Sequence, residues 1–105
     1  MSSGVHIGLP TMLIIAGYLE VIPTERDAYV QDCVTVVQMA LTAPGCLDYS
    51  ITADSFDPAR VRIYERWESE EHLLVFRGSG PSDSQQAAIV DADVRRYGVA
   101  SVSDP

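Results

Sequence analysis

Arg60-Val61-Arg62-Ile63-Tyr64-Glu65-Arg66-Trp67, followed at once by Glu68-Ser69-Glu70-Glu71-His72, is the stretch that decides the fold. Side-chain type alternates along its first eight residues, which is the period of a strand. One face carries Val61, Ile63, Glu65 and Trp67; the other carries Arg62, Tyr64 and Arg66. The strand runs straight into a helix start. Ser69 stands as N-cap, and Glu70 and Glu71 occupy the first turn, where the positive end of a helix favours acids. Leu73, Leu74 and Phe76 continue that helix, and Gly78-Ser79-Gly80-Pro81 stops it. The chain's only tryptophan sits at the join. A carboxylate and an indole on an otherwise apolar face are what a pocket needs. A filled core with one satisfied polar group would show the same residues.

Working outward, Cys46 to Ala53 alternates in the same way, with Leu47, Tyr49 and Ile51 against Asp48, Ser50 and Thr52. Asp54-Ser55-Phe56-Asp57-Pro58-Ala59 has turn chemistry, so a hairpin joins the two strands. Met12 to Val21 reads as the first strand, ended by Pro23. Its Ile15, Gly17, Leu19 and Val21 share one face, and Ala16, Tyr18 and Glu20 share the other. Thr24 then reads as the N-cap of a helix with acids in its first turn. Val30, Cys33, Val34, Val37 and Leu41 recur at spacings of three and four, which predicts one amphipathic helix of about five turns, stopped by Pro44-Gly45. A short third helix is expected over residues 82 to 90 and a last strand over 93 to 102. Residues 1–11, punctuated by Ser2, Ser3, Gly4, Gly8 and Pro10, read as an N-terminal tail before a domain over 12–105. The order β-α-β-β-α-(α)-β implies an α+β, ferredoxin-like βαββαβ monomer: an antiparallel four-stranded sheet with helices on one face. The other face carries Tyr18, Glu20, Asp48, Ser50, Arg62, Tyr64 and Arg66. Large amphipathic side chains with complementary charges read as a partner surface.

A chain of 105 residues fits one domain. A domain this size buries roughly 60 to 70 % of its unfolded surface, so pairing with a second copy would help it. Seven basic residues against fifteen acidic give a net charge of −8, which argues against nucleic acid and against an anionic membrane surface. No apolar run approaches the ~20 residues of a membrane span. Arg26 is the first basic residue, so the charged start of a secretory signal is missing. Cys33 and Cys46 lack metal or redox-motif spacing and read as two reduced thiols, which suits the cytoplasm. No metal site is expected. The chain has no lysine, and Arg60, Arg62, Arg66, Arg95 and Arg96 all fall on the two predicted C-terminal strands. The guanidinium fork suits ordered pairing with carboxylates.

Leu13-Ile14-Ile15-Ala16-Gly17-Tyr18-Leu19-Glu20-Val21, the helix after it, Pro44-Gly45-Cys46-Leu47-Asp48-Tyr49, Ile63-Tyr64-Glu65-Arg66-Trp67-Glu68-Ser69 and the closing Asp93-Val94-Arg95-Arg96-Tyr97 together resemble the antibiotic biosynthesis monooxygenase domain, over about residues 12 to 102. The resemblance implies a homodimeric α+β barrel. Two ferredoxin-like monomers pack sheet to sheet, often with the C-terminal strand reaching the partner, and each pocket lies between sheet and helices. The family includes cofactor-independent oxygenases of anthrones and quinols, and relatives that degrade haem. Those relatives typically carry an Asn in the first strand, where this chain has Gly17, and a late ligand histidine, whereas no histidine follows His72. Some oxygenase members carry an Asn where this chain has Ile63. The implied function is a monooxygenase that oxidises a small planar phenolic, anthrone or quinol-type substrate with O2 and no bound cofactor. A non-catalytic barrel binding a small hydrophobic ligand is the alternative, and haem binding or degradation comes third.

Oxygenation without metal or flavin needs a substrate that supplies the electrons; the protein contributes a base, a dry cavity and orientation. Trp67 would wall the cavity and stack on a planar ring, or simply fill the core. Glu65, its pKa raised by burial, would be a base, or a structural carboxylate. His72, the only histidine outside the tail, is the natural proton acceptor near neutral pH, or plain helix surface. Tyr49 would hold a substrate oxygen. Arg77 would anchor an anionic group or complement the helix's negative end. Ile63 and Phe76, with Leu73, would form walls. Tyr18 and Tyr64 would sit in the dimer interface. Gly78-Ser79-Gly80 lacks a phosphate-loop pattern and reads as a hinge or a plain loop.

Overall fold

The computed structural model describes residues 11–79 and 89–105. Residues 1–10 of the expected tail and residues 82–88 of the third helix expected over 82 to 90 lie outside the described residues; Ile89 and Val90, expected to end that helix, are in a strand instead. Strands β1 (Leu13–Val21), β2 (Cys46–Ala53), β3 (Arg60–Trp67) and β4 (Ile89–Gly98) form one antiparallel sheet in the order β2-β3-β1-β4. Helices α1 (Arg26–Asp32), α2 (Val34–Leu41) and α3 (Glu70–Ser79), with a 3-10 turn before α1, complete the described elements. The fold is α+β and ferredoxin-like, as the alternation of strand and helix signals implies.

Strand register sets the two faces. Leu13 lies opposite Trp67, Ile15 opposite Glu65 and Gly17 opposite Ile63. On the other side of β3, Tyr49 lies opposite Glu65 and Ile51 opposite Ile63. These residues share the helix-facing side. Leu13, Ile15, Tyr49 and Trp67 join Ala40 from α2 and Leu73 and Phe76 from α3 in a single core cluster. Each large apolar side chain buried there contributes about 1.5 to 3 kcal/mol. On the far face, the Arg60 guanidinium lies 3.7 Å from the centre of the Tyr18 ring. Arg60 also pairs with Glu20 at 3.5 Å, and Arg62 with Asp54 at 2.7 Å. No described helix is long and apolar enough to cross a membrane.

Three boundaries differ from the sequence expectation. The single long helix is broken: a 3-10 turn, Pro23–Glu25, precedes α1, and Cys33 separates α1 from α2. Thr24 lies inside that turn, and Ile22 takes the cap position with no side-chain bond. The Cys33 backbone N–H is shared between the carbonyls of Tyr29 and Val30, both at 3.1 Å, while Val37 N–H still reaches the Cys33 carbonyl. The join is therefore a local irregularity in the helical ladder, and Cys33 and Ala40, seven residues apart on one helical face, are both buried. The α3 helix runs through Gly78 and Ser79, so the expected break begins no earlier than Gly80, outside the described residues. Finally, β4 starts at Ile89 and ends at Gly98, whereas the expected strand ran from 93 to 102. Gly98 lies opposite Leu13, the first residue of β1, so residues beyond it have no strand partner left. One further bond, from Val99 N–H to the Met12 carbonyl at 2.9 Å, holds the C-terminal segment where it leaves the sheet.

Candidate functional site

Two residues apart on β3, Glu65 and Trp67 point to the same side. The indole Nε1–H donates to Glu65 Oε1 at 3.0 Å. Trp67 has no exposed surface, and Glu65 is 7 % exposed. Burial pushes the Glu65 carboxyl above its ordinary value; the indole bond and the nearby Arg77 charge oppose this only in part. Tyr49, opposite Glu65 on β2, is raised too. Burial is the main cause, the Glu65 charge adds to it and Arg77 opposes it. Phe76 comes down from α3. The rings of Tyr49 and Phe76 stand 6.0 Å apart at 67°, those of Tyr49 and Trp67 6.5 Å apart at 86°, and those of Trp67 and Phe76 5.3 Å apart at 36°. The edge-on pairs are the favoured aromatic geometry. Arg77 itself is exposed. Ile63, half-buried, continues the same face below Glu65. The structure thus gathers Tyr49, Trp67 and Phe76 around one buried acid, Glu65, with Arg77 acting on it electrostatically. A carboxyl held in this way can exchange a proton closer to neutrality than an ordinary glutamate.

His72 has a different set of contacts. Its Nδ1 lies 2.7 Å from Ser69 Oγ, which also accepts the His72 backbone N–H at 3.3 Å. Its ring presses on Gly45, whose φ is +81°; a Cβ at residue 45 would come within 2.2 Å of the imidazole. The Gly45 carbonyl accepts Glu68 N–H at 2.8 Å. His72 is therefore built into the joint between the start of α3 and the turn before β2. Sequence reading missed Gly45 in this role, although the Pro44-Gly45 pair marked the turn. It also missed Cys46. An irregularity in β2 after Cys46 sets it opposite Trp67, and its thiol is raised by burial first and by the Glu65 charge among its lesser causes. Both cysteines are free.

Among the described residues, the first-strand Asn and the late ligand histidine of the haem-degrading relatives have no counterpart. A Cβ at Gly17 would lie 2.0 Å from the Asp93 carbonyl oxygen, so no side chain can project from that position of β1. His72, the one histidine among the described residues, is engaged with Ser69. Among the described residues no three or more His, Cys, Asp or Glu side chains cluster as metal ligands.

A family model described as antibiotic biosynthesis monooxygenase matches residues 12–89. No curated protein sequence matches the chain. Among solved structures, a Chloroflexus aurantiacus protein provisionally named an antibiotic biosynthesis monooxygenase superposes with a TM-score of 0.68 at 27 % identity, covering 90 % of this chain and 96 % of that one. A Deinococcus radiodurans protein with the same provisional name gives 0.76 at 19 % identity, over 89 % and 97 %. A haem-degrading protein from Mycobacterium tuberculosis gives 0.65 at 14 % identity, over 91 % and 99 %. At such low identities the last two show a shared fold alone.

Proposed function

The chain belongs to the antibiotic biosynthesis monooxygenase family, and on that premise we propose that it oxidises a small planar phenol, anthrone or quinol with O2, using electrons drawn from the substrate itself. The observation that carries the proposal is the buried Glu65–Trp67 pair inside an aromatic cluster. Glu65 takes a proton from the acidic O–H or ring C–H. The resulting anion reduces O2 in a site from which water is excluded. At an anthrone methylene a C–O bond forms and the O–O bond breaks. One oxygen stays as the new carbonyl, and the other leaves as water with the two methylene hydrogens. The substrate loses four electrons and O2 gains four, so no outside reductant is needed. Trp67 and Tyr49 orient the ring, Ile63 and Phe76 wall the site, and Arg77 anchors an anionic edge of the substrate. Because Trp67 has no exposed surface, α3 has to move off β3 to admit a substrate. Two copies pair through the far face of the sheet, where Tyr18 and Tyr64 lie.

The test is oxygen uptake with an anthrone and with a menadiol, comparing wild type with Glu65→Gln, Trp67→Phe and His72→Ala. Loss of a general base lowers kcat by about 100-fold or more, so Glu65→Gln should nearly abolish uptake. His72→Ala should retain it. Equal rates in all four proteins would remove the assigned site. A second reading, a non-catalytic barrel binding a hydrophobic ligand, is favoured by the three rings that already fill the space. It requires no enzyme-dependent oxygen uptake, together with a saturable change in Trp67 fluorescence when an aromatic ligand is added.

A further inference from the structure

Three rings close the acid site, and they differ in what carries them. Trp67 stands on β3 and is tied to Glu65 through its Nε1–H at 3.0 Å. Tyr49 stands on β2, the neighbour of β3 in the sheet. Phe76 comes from a helix, α3, and is 7 % exposed. Its ring lies 5.3 Å from the indole at a tilt of 36°, and 6.0 Å from the Tyr49 phenol at 67°. The first contact is a tilted stack and the second an edge-on pair, both ordinary attractive geometries for aromatic rings. A six-membered ring therefore already sits where a planar substrate would lie on Trp67, with the Glu65 carboxyl held at the Nε1 edge of that indole.

Helix α3 is tied where it starts. Ser69 Oγ accepts the His72 backbone N–H at 3.3 Å, the Glu68 N–H reaches the Gly45 carbonyl at 2.8 Å, and Glu70 pairs with Arg96 of β4. Leu73 enters the core close to these ties, and Phe76 enters about one turn further along. A pivot of α3 about its tied end displaces Phe76 more than Leu73. We propose that Phe76 is a specificity-determining residue: its ring keeps the seat of one six-membered ring of the substrate, and α3 carries it out when a flat phenolic ring takes its place on Trp67. The inference rests on the reading of the acid site given above. It narrows the substrate to a molecule that enters by a single ring, a monocyclic phenol or the terminal ring of a fused quinol, because the seat is one ring wide. The seat lies on the helix side of the sheet, away from Tyr18 and Tyr64.

The experiment uses the full chain labelled with 4-fluorophenylalanine, which puts a fluorine on each of its two phenylalanines. Phe56 is 94 % exposed and marks the solvent position of the fluorine signal. Phe76→Leu removes the other signal and so assigns it. The probe is 2-naphthol, a flat phenol. Adding it should move the Phe76 signal saturably toward the solvent position and leave the Phe56 signal in place. By calorimetry, Phe76→Leu should bind 2-naphthol about tenfold or more tightly than wild type, because no buried ring has to be driven out. Thermal melts check that the variant keeps its fold; the fluorine titration is made on the unsubstituted chain and stands without it. Three results would overturn the proposal: no saturable binding of 2-naphthol, a Phe76 signal that stays buried at saturation, or equal affinity in wild type and a folded Phe76→Leu. Neither readout involves turnover. A displaced Phe76 signal without enzyme-dependent oxygen uptake would keep the seat and remove the oxygenase reading. Oxygen uptake with the Phe76 signal unmoved would do the reverse.

Discussion

A carboxyl moved out of water favours its neutral form, and Glu65 carries that preference into the folding equilibrium. Its folded pKa is raised by burial, so its favourable contribution is whole below the ordinary glutamate value and is lost as pH rises through the folded value. Glu65→Gln keeps an acceptor for the Trp67 indole and removes the charge. The substitution should therefore raise stability at neutral pH relative to wild type, and the gain should vanish on acidification below the ordinary glutamate range. Urea unfolding across pH measures the difference; a gap that widens toward acid would contradict the raised value. Trp67→Phe acts in the reverse sense. The indole bond lowers the Glu65 pKa, so its loss should raise that pKa further and leave a buried carboxyl without its donor, at a cost of about 1 to 3 kcal/mol. Carboxyl-labelled NMR titration of Glu65 reads the direction; a downward move on Trp67→Phe would refute the assignment.

Between neighbouring elements, two joints decide how β2 is held. At one, Gly45 is left-handed with the His72 ring pressed against it. Gly45→Ala should cost about 1 to 3 kcal/mol from backbone strain and more from the clash. Pairing it with His72→Ala should recover only the steric share, and a double-mutant cycle by chemical denaturation measures that share. Additive effects would mean that ring and glycine do not touch. At the other, the β2–β3 hairpin is tied by Asp54. Its Oδ2 accepts the backbone N–H groups of Phe56 at 3.0 Å and Asp57 at 2.7 Å, and its Oδ1 accepts Arg62. These bonds, led by the one from Asp57, hold the Asp54 carboxyl well below the usual range. Its contribution is therefore present above the ordinary aspartate value and is lost as pH falls. Asp54→Asn should lower the melting temperature most at neutral pH, with the gap closing in acid. The β3 strand of this hairpin was legible residue by residue, and so was β2 from Asp48 on; Leu47 was expected beside Tyr49 and Ile51, but the register shift after Cys46 leaves it exposed, because alternation carries no mark of a bulge. Also legible was the shared side of Tyr49, Glu65, Trp67 and Phe76. The break at Cys33 was not, since the apolar spacing reads the same through an interrupted helix as through a continuous one. The place of His72 was not legible either, because its packing against Gly45 joins residues 27 apart in sequence, where local pattern carries no information.

The whole chain combines a small core with a net charge of −8, and the two pull on association in opposite directions. A domain of this size leaves roughly a third of its unfolded surface exposed, so covering a sheet face is favourable. Like charge on two copies opposes their approach. On the far face most of the cations are already spent on carboxylates within the same chain: Arg60 on Glu20, Arg62 on Asp54, Arg95 on Asp93. Few cations remain to bridge two copies, so pairing through this face would rest on apolar and aromatic contact, and the residual electrostatic term would be repulsive. Salt screens repulsion over about 10 Å at 0.1 M and over about 3 Å at 1 M. A dimer formed through this face should therefore tighten as salt rises, the reverse of an assembly held by ion pairs. Sedimentation velocity at micromolar concentration, from low to high sodium chloride, reads the shift directly. Tyr64→Glu, which adds a charge to the centre of that face, should weaken the dimer at every salt concentration without lowering the monomer's melting temperature. Dissociation on adding salt would show that bridging charges hold the copies together, and a monomer at every concentration would remove the far face as a pairing surface.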